Sequence, residues 1–407
     1  MICIILNKGE RMLKKLLLIT SLTTSIFALT MQEYADQQKQ GYNQYKKTQE
    51  EGFKAYRAEQ MKAFNDYKKA VGAIWEKPKM STKKTWVEYT PDKKTRTDVD
   101  FSKEVIVVET VASSPREAKR KLQIALAKVV TVDTKTVQKT DPLEKILAKI
   151  KKPDGVVDAK VKAEPILATV IFKKPPTKES VRSYVTKHIT PKEIKVTPSK
   201  KVKFAKIYRV EVKMPNNAML KRSQLYYPEV KKQAKRQKLP LPLVFAIMHS
   251  ESSFNPRAKS HIPAYGLMQI VPRSAGLDAY RYLYKKKRLV TSSYLYDSTN
   301  NITMGSGYLH ILYYSYLKSI KNPESRMYCT IAAYNTGAGN IAFAFNRYKN
   351  LSRKQKFRMK NAAADINALT PKQVYNRLMK DLKWDEPKQY LKKVSKRMSI
   401  YHKVYGS

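Results

Sequence analysis

The side chain with the clearest chemical promise is Glu251, in the segment PLPLVFAIMHSESSFNP, residues 240–256. Proline punctuation followed by an apolar run predicts a helix here. Val244, Ile247, Met248 and Glu251 then fall at i, i+3, i+4 and i+7, so the carboxyl shares a face with three apolar side chains. Withdrawing a carboxyl from water disfavours its charged form and raises its pKa. It can then stay protonated near neutral pH, the state a general acid needs. The competing reading is a helix-end glutamate that bonds a nearby backbone group or an arginine, and on Glu251 alone that reading stands ahead.

Three later segments shift the balance. AYGLMQI, residues 264–270, is a small-residue loop leading into Met268 and Gln269, and its glycine lets the backbone approach a ligand closely. DSTNNITMGSGYL, residues 297–309, reads as a helix capped by Asp297, with Gly305 and Gly307 giving close packing. IAAYNTGAGN, residues 331–340, places Tyr334 and Asn335 at a helix end before glycines. Singly each is a turn, a cap or a helix stop. GAGN is not a phosphate loop, because no Lys–Ser/Thr pair follows it and no strand precedes it.

Between residues 241 and 345 the only acids are Glu251, Asp278, Asp297 and Glu324. Asp297 is accounted for as a cap and Asp278 as a first-turn acid, so no motif offers the partner that a two-carboxylate site would hold roughly 5–9 Å away. Five histidines show no HExxH or other ligand spacing. No metal and no other cofactor is expected. Of the two cysteines, Cys3 precedes an apolar run and Cys329, within MYCTIAAY, reads as a buried core residue.

The elements that must position these residues belong to a chain of 407 residues, long enough for two or three domains. From Met12, two lysines lead into an apolar run from Leu16 to Phe27 and then Ala28. This is the layout of a secretory signal over 1–28, and no cysteine follows the run to carry a lipid. Periplasmic export is the expectation. Tyr34, Tyr45, Tyr56 and Tyr67 recur every 11 residues, each with Met31, Tyr42, Phe53 or Phe64 three positions earlier. Eleven residues close three turns almost without drift, which predicts one long amphipathic helix over 30–76.

WVEY, DVDF, VIVVETV, VDAKVKAEPILATVIF and VKFAKIYRVEVKM then alternate as strands do, while 115–130 and 142–151 have helical spacing. PPTKESV and TPSKK read as turns or loops. Residues 29–214 are thus expected as an α+β N-terminal domain, the long helix 30–76 plus a small α+β part. MPNN at 214–217 is the linker candidate, and an all-α domain is expected over 218–407. Lys and Arg total 81 against 33 Asp and Glu, a net charge of +48, and both sides of the linker are strongly basic. Such a field attracts nucleic acid, anionic lipid or a wall polymer bearing carboxylates. Export and the lack of a nucleic-acid module argue against nucleic acid.

ESSFNP, GLMQ, AYN and EPKQYLKKV, in this order, resemble the signatures of lytic murein transglycosylases of the goose-lysozyme-like (family 1) type. WVEY and DVDF after an aromatic-rich helix resemble the other domain of a membrane-bound branch of that family. The resemblance covers about residues 31–400 and implies a lysozyme-like catalytic domain. It implies Glu251 as sole acid and base at the bond between N-acetylmuramic acid and N-acetylglucosamine, with a 1,6-anhydro product. Met268 and Gln269 match subsite residues, Tyr334 and Asn335 the pair at the catalytic centre, and Tyr390 the last motif, facing the glutamate. Ser260 matches a frequent serine, while Ile262 stands where some members carry a second one. The implied partner is peptidoglycan, with the basic surface suited to peripheral association with wall or membrane. A muramidase cutting the same bond with water, or a noncatalytic peptidoglycan-binding protein, are the alternatives.

Overall fold

A computed structural model describes residues 31–406 apart from Ile262, so the expected signal segment 1–28 lies outside the described residues. The described residues form two compact units, 31–58 with 152–154, and 59–151 with 155–406 apart from Ile262. Helix α1 runs Met31–Gly72. It stops short of the expected end at 76. Trp75, one aromatic period after Phe64, lies past the helix with its indole N–H donating to the Lys93 carbonyl at 2.7 Å, so the chain has turned to anchor it on a strand loop. The side chains of Met31, Tyr34, Tyr42 and Tyr45, the first half of the expected aromatic stripe, lie outside the described residues. Phe53, Tyr56 and Tyr67 are buried.

Five strands form one antiparallel sheet in the order β1-β2-β3-β5-β4. They are β1 Thr85–Tyr89, β2 Thr95–Asp100, β3 Val105–Ala112, β4 Lys195–Pro198 and β5 Lys206–Lys213. The register sets Trp86 opposite Val99, Val99 opposite Ile106, and Val108 opposite Val210, so β-branched and aromatic side chains line one face. Helix α2, Pro115–Thr131, starts on a Ser114 cap and covers that face with Leu122, Leu126, Val129 and Val130, all fully buried.

Three local expectations are corrected, and the first is PPTKESV, expected as a turn or loop, which opens the helix Lys178–His188 on a Thr177 cap. VDAKVKAEPILATVIF forms no strand. It makes only single bridges, Val157 with Val290 and Asp133 with Pro165, and a helical turn at Ala168–Ile171. Pro165 lacks the N–H a ladder needs, and alternation alone does not create a neighbouring strand. TPSKK, expected as a loop, gives Thr197 and Pro198 to β4, an exposed edge strand where a proline is tolerated.

From residue 218 on, the described residues form helices and no strand. Helix α3, Leu241–Ser252, is buried at every position from Leu243 to Met248, which makes it a core helix and not a one-faced one. Packed against it are α6 Asp385–Tyr405 and the helix Tyr227–Gln237, while α4 Ser298–Ile311 and α5 Pro323–Thr336 complete the same core. Asp297 caps α4 by accepting the Asn300 N–H at 2.9 Å. Cys329 is buried, and burial pushes its thiol pKa up.

Candidate active site

The site grows from the C-terminal end of α3. Ser253 and Phe254, directly after the helix, both take left-handed backbone, φ +53° and +61°. Two such residues in succession, neither of them glycine, are uncommon and need outside support. The buried Arg222 donates to the Ser253 carbonyl at 3.3 Å and to the Phe101 carbonyl at the end of β2 at 2.8 Å. Lys84, one residue before β1, donates to the His249 and Ser250 carbonyls at 2.8 Å each and to Ser253 Oγ at 3.1 Å. These are the orphan acceptors of a helix end, and an ammonium there also meets the negative pole of the helix. Burial, aided by the nearby Arg397, pushes the Lys84 pKa down to about 7.

Glu251, in the last turn of α3, is only 6% exposed. Burial raises its carboxyl pKa. Lys83, the Tyr390 hydroxyl and Lys84 oppose that rise, and Glu386 adds to it. Lys83 Nζ stands 4.0 Å from Glu251 Oε2 and 3.8 Å from Glu386 Oε1. The Tyr390 hydroxyl on α6 is buried, faces this carboxyl and has no other partner. Tyr334 on α5 also feels the Glu251 charge, and burial first, then that charge, holds its phenol pKa far above the usual value.

A turn at residues 264–270 forms the neighbouring wall. Gly266 has φ +75°, and a Cβ there would drive into the Asn301 amide and the Leu295 carbonyl, so glycine is required for both dihedral and space. Gln269 follows at φ +50°, its Nε2 donating to the Gly266 carbonyl at 3.0 Å and its buried Oε1 unpartnered. Asn301 of α4 holds the turn. Its Oδ1 accepts from Met268 N–H at 2.7 Å, and its Nδ2 donates to the carbonyls of Tyr265 and Leu295 at 2.8 Å each. The Tyr334 hydroxyl donates to the Met268 carbonyl at 2.8 Å, and Ser252 Oγ to the Leu267 carbonyl at 2.7 Å. Helix α3, the turn and α5 are therefore one hydrogen-bonded body. Met268 is fully buried against Gly305.

The structure thus brings together Glu251, Tyr334 and Tyr390, and joins Met268 and Gln269 to them through the turn. Asn335 donates to Glu386 Oε1 at 3.4 Å and so reaches Glu251 by way of Lys83. Ser260 instead closes its own loop, its Oγ accepting from Ala264 N–H at 3.1 Å. Ile262 lies outside the described residues. Sequence reading missed Lys83, Lys84, Asn301 and Glu386. Glu386 was reachable, since it sits four residues before Tyr390 on a predicted helix. The two lysines, in a chain rich in them, carry no local signal.

Family comparison matches the Transglycosylase SLT domain over residues 228–357, which includes Glu251, Ser260, Gln269, Tyr334 and Asn335 and ends before Tyr390. The N-terminal domain of membrane-bound lytic murein transglycosylase C matches residues 49–147. Proteins of that name from Klebsiella pneumoniae and Cronobacter sakazakii are 31% and 32% identical over 325 and 323 residues, 79% of this chain and 82% of theirs in both cases. The chain belongs to the lytic transglycosylase family. One solved structure, the 70 kDa soluble lytic transglycosylase of Escherichia coli, overlaps in part, with TM-score 0.33 and 22% identity over 45% of this chain and 25% of that chain. In this lytic transglycosylase both family matches lie largely in one compact unit, where Lys84 and Arg222 tie the sheet to the end of α3. Among the described residues no helix is long and apolar enough to cross a membrane.

Proposed function

We propose that this lytic transglycosylase acts on peptidoglycan strands in the periplasm. It would cleave the β-1,4 bond between N-acetylmuramic acid and N-acetylglucosamine with Glu251 as its single acid and base. The observation that carries this reading is the buried Glu251 carboxyl, whose proton affinity is raised by its surroundings and which two tyrosines from different helices face. Protonated Glu251 gives its proton to the glycosidic oxygen as the bond to C1 breaks, and the N-acetylglucosamine side leaves as an alcohol. The resulting carboxylate takes the proton of the muramyl C6 hydroxyl, whose oxygen bonds C1 and closes the 1,6-anhydro ring. A tethered hydroxyl needs no diffusing partner, so proximity replaces a second enzyme carboxylate.

The nearest other acid, Glu386, has a side chain 71% exposed and is engaged by Lys83 and Asn335, which suits an electrostatic neighbour better than a nucleophile. Tyr390 and Tyr334 would orient the Glu251 proton. Gln269, through its unpartnered acceptor, would take an N–H or O–H of the sugar. Asn335 and Ser260 would serve as further polar contacts, with Met268 shaping the wall. Surface charge of +48 attracts the carboxylates of stem peptides. Glu251→Gln tests the reading. Purified murein sacculi should no longer be cleared although the variant still sediments with them, and wild-type clearing by Glu251→Gln would end the proposal.

A further inference from the structure

We propose that Lys83 is a positioning residue for this reaction, supplying the counter-charge that lets Glu251 change from acid to base. This inference rests on Glu251 being the acid. A lone carboxyl must first hold a proton in a dry setting and then, within the same turnover, exist there as an anion. An anion left unpaired in such a place is costly.

Lys83 meets the need from outside the helical part. It precedes β1, and its neighbour Lys84 is fixed by three hydrogen bonds to the end of α3, the same helix that bears Glu251. That clamp sets the Lys83 ammonium 4.0 Å from Glu251 Oε2. Glu386 holds it from the other side at 3.8 Å, and Asn335 steadies Glu386 at 3.4 Å. Three elements therefore face the carboxyl, the segment before β1 with Lys83 and Lys84, α5 with Tyr334, and α6 with Tyr390 and Glu386, while α3 bears it. Lys83 donates no proton in the reaction. When Glu251 passes its proton to the glycosidic oxygen the pair becomes a true ion pair, and when Glu251 recovers a proton from the C6 hydroxyl the pair relaxes. Lys83 is 39% exposed, so it can adapt without unpacking the core.

The two neighbours act with opposite sign, which gives a test that a merely structural role would not satisfy. Lys83 lowers the proton affinity of Glu251 and Glu386 raises it. Activity of an obligate acid disappears as pH rises through its pKa. In pH profiles of kcat/KM on murein oligomers, Lys83→Met should therefore move the high-pH limb upward and Glu386→Gln should move it downward. Lys83→Arg, which keeps the charge, should follow the wild type, and kcat of Lys83→Met should fall while KM changes little. Far-UV circular dichroism melts run in parallel identify any variant that is not folded. Because the Lys83 side chain is 39% exposed, Lys83→Gln, which also removes the charge, carries the test if Lys83→Met is lost. Limbs that coincide with the wild type, with Glu251→Gln inactive, overturn the role of Lys83 and leave Glu251 as the acid. A Glu251→Gln enzyme with full activity overturns both.

Discussion

Asn301→Ala should loosen the wall beside Glu251. Asn301 is fully buried and makes three hydrogen bonds, one from Met268 N–H at 2.7 Å and two to the carbonyls of Tyr265 and Leu295 at 2.8 Å. Truncation leaves the Met268 N–H and the Leu295 carbonyl without a partner, while the Tyr265 carbonyl keeps the Ile270 N–H at 3.1 Å, and each orphaned group costs about 1–3 kcal/mol. Relaxation and water entry into the vacated space reduce a simple total, so about 2–3 kcal/mol is expected, a large share of the roughly 5–15 kcal/mol that holds a domain together. The left-handed residues Gly266 and Gln269 lose their brace at the same time, so turnover should fall more steeply than substrate binding. Urea unfolding gives the stability change and murein digestion the turnover. A loss under about 1 kcal/mol, or unchanged turnover, would show that the turn is held by Tyr334 and Ser252 alone and that this bookkeeping is mistaken.

Other substitutions probe separate contacts. Tyr334→Phe removes a 2.8 Å hydrogen bond to the Met268 carbonyl and should cost about 1 kcal/mol in unfolding as well as turnover. Tyr390→Phe removes a buried hydroxyl that faces the Glu251 carboxyl and makes no other hydrogen bond, so turnover should fall with little change in a thermal melt. Gly305→Ala forces a Cβ into the Met268 side chain and should lower the melting temperature and disturb the turn, visible as reduced activity in a protein that still folds. Because the folded-state pKa of Glu251 is raised, its contribution to stability is fully present below the ordinary value of 4.5 and is lost as pH rises through the folded value. Glu251→Gln should therefore match the wild type in acid melts and become the more stable of the two as pH increases above that window.

Local pattern made helix α3 and its carboxyl legible, because an i, i+3, i+4, i+7 spacing reports which side chains share a face. It understated how enclosed that helix is, since burial on every side depends on α6 and other parts of the same core arriving from distant sequence. Asp297 was readable as a cap from residue type and place alone. Residues 157–172 misled because alternation satisfies a strand only where another strand is within reach, and their only ladder contacts are single bridges. Lys83, Lys84, Arg222 and Asn301 were invisible for a related reason. Their roles consist of long-range contacts, Lys84 to Ser250 for example spanning 166 positions, and nothing in the neighbouring residues encodes the partner.

The most direct test of the central claim is mass spectrometry of murein digested in water enriched in oxygen-18, with wild type and Glu251→Gln side by side. The account predicts unlabelled 1,6-anhydromuramyl ends from the wild type and no new ends from the variant. Reducing ends carrying one heavy oxygen would contradict it, because water and not the C6 hydroxyl would then have attacked.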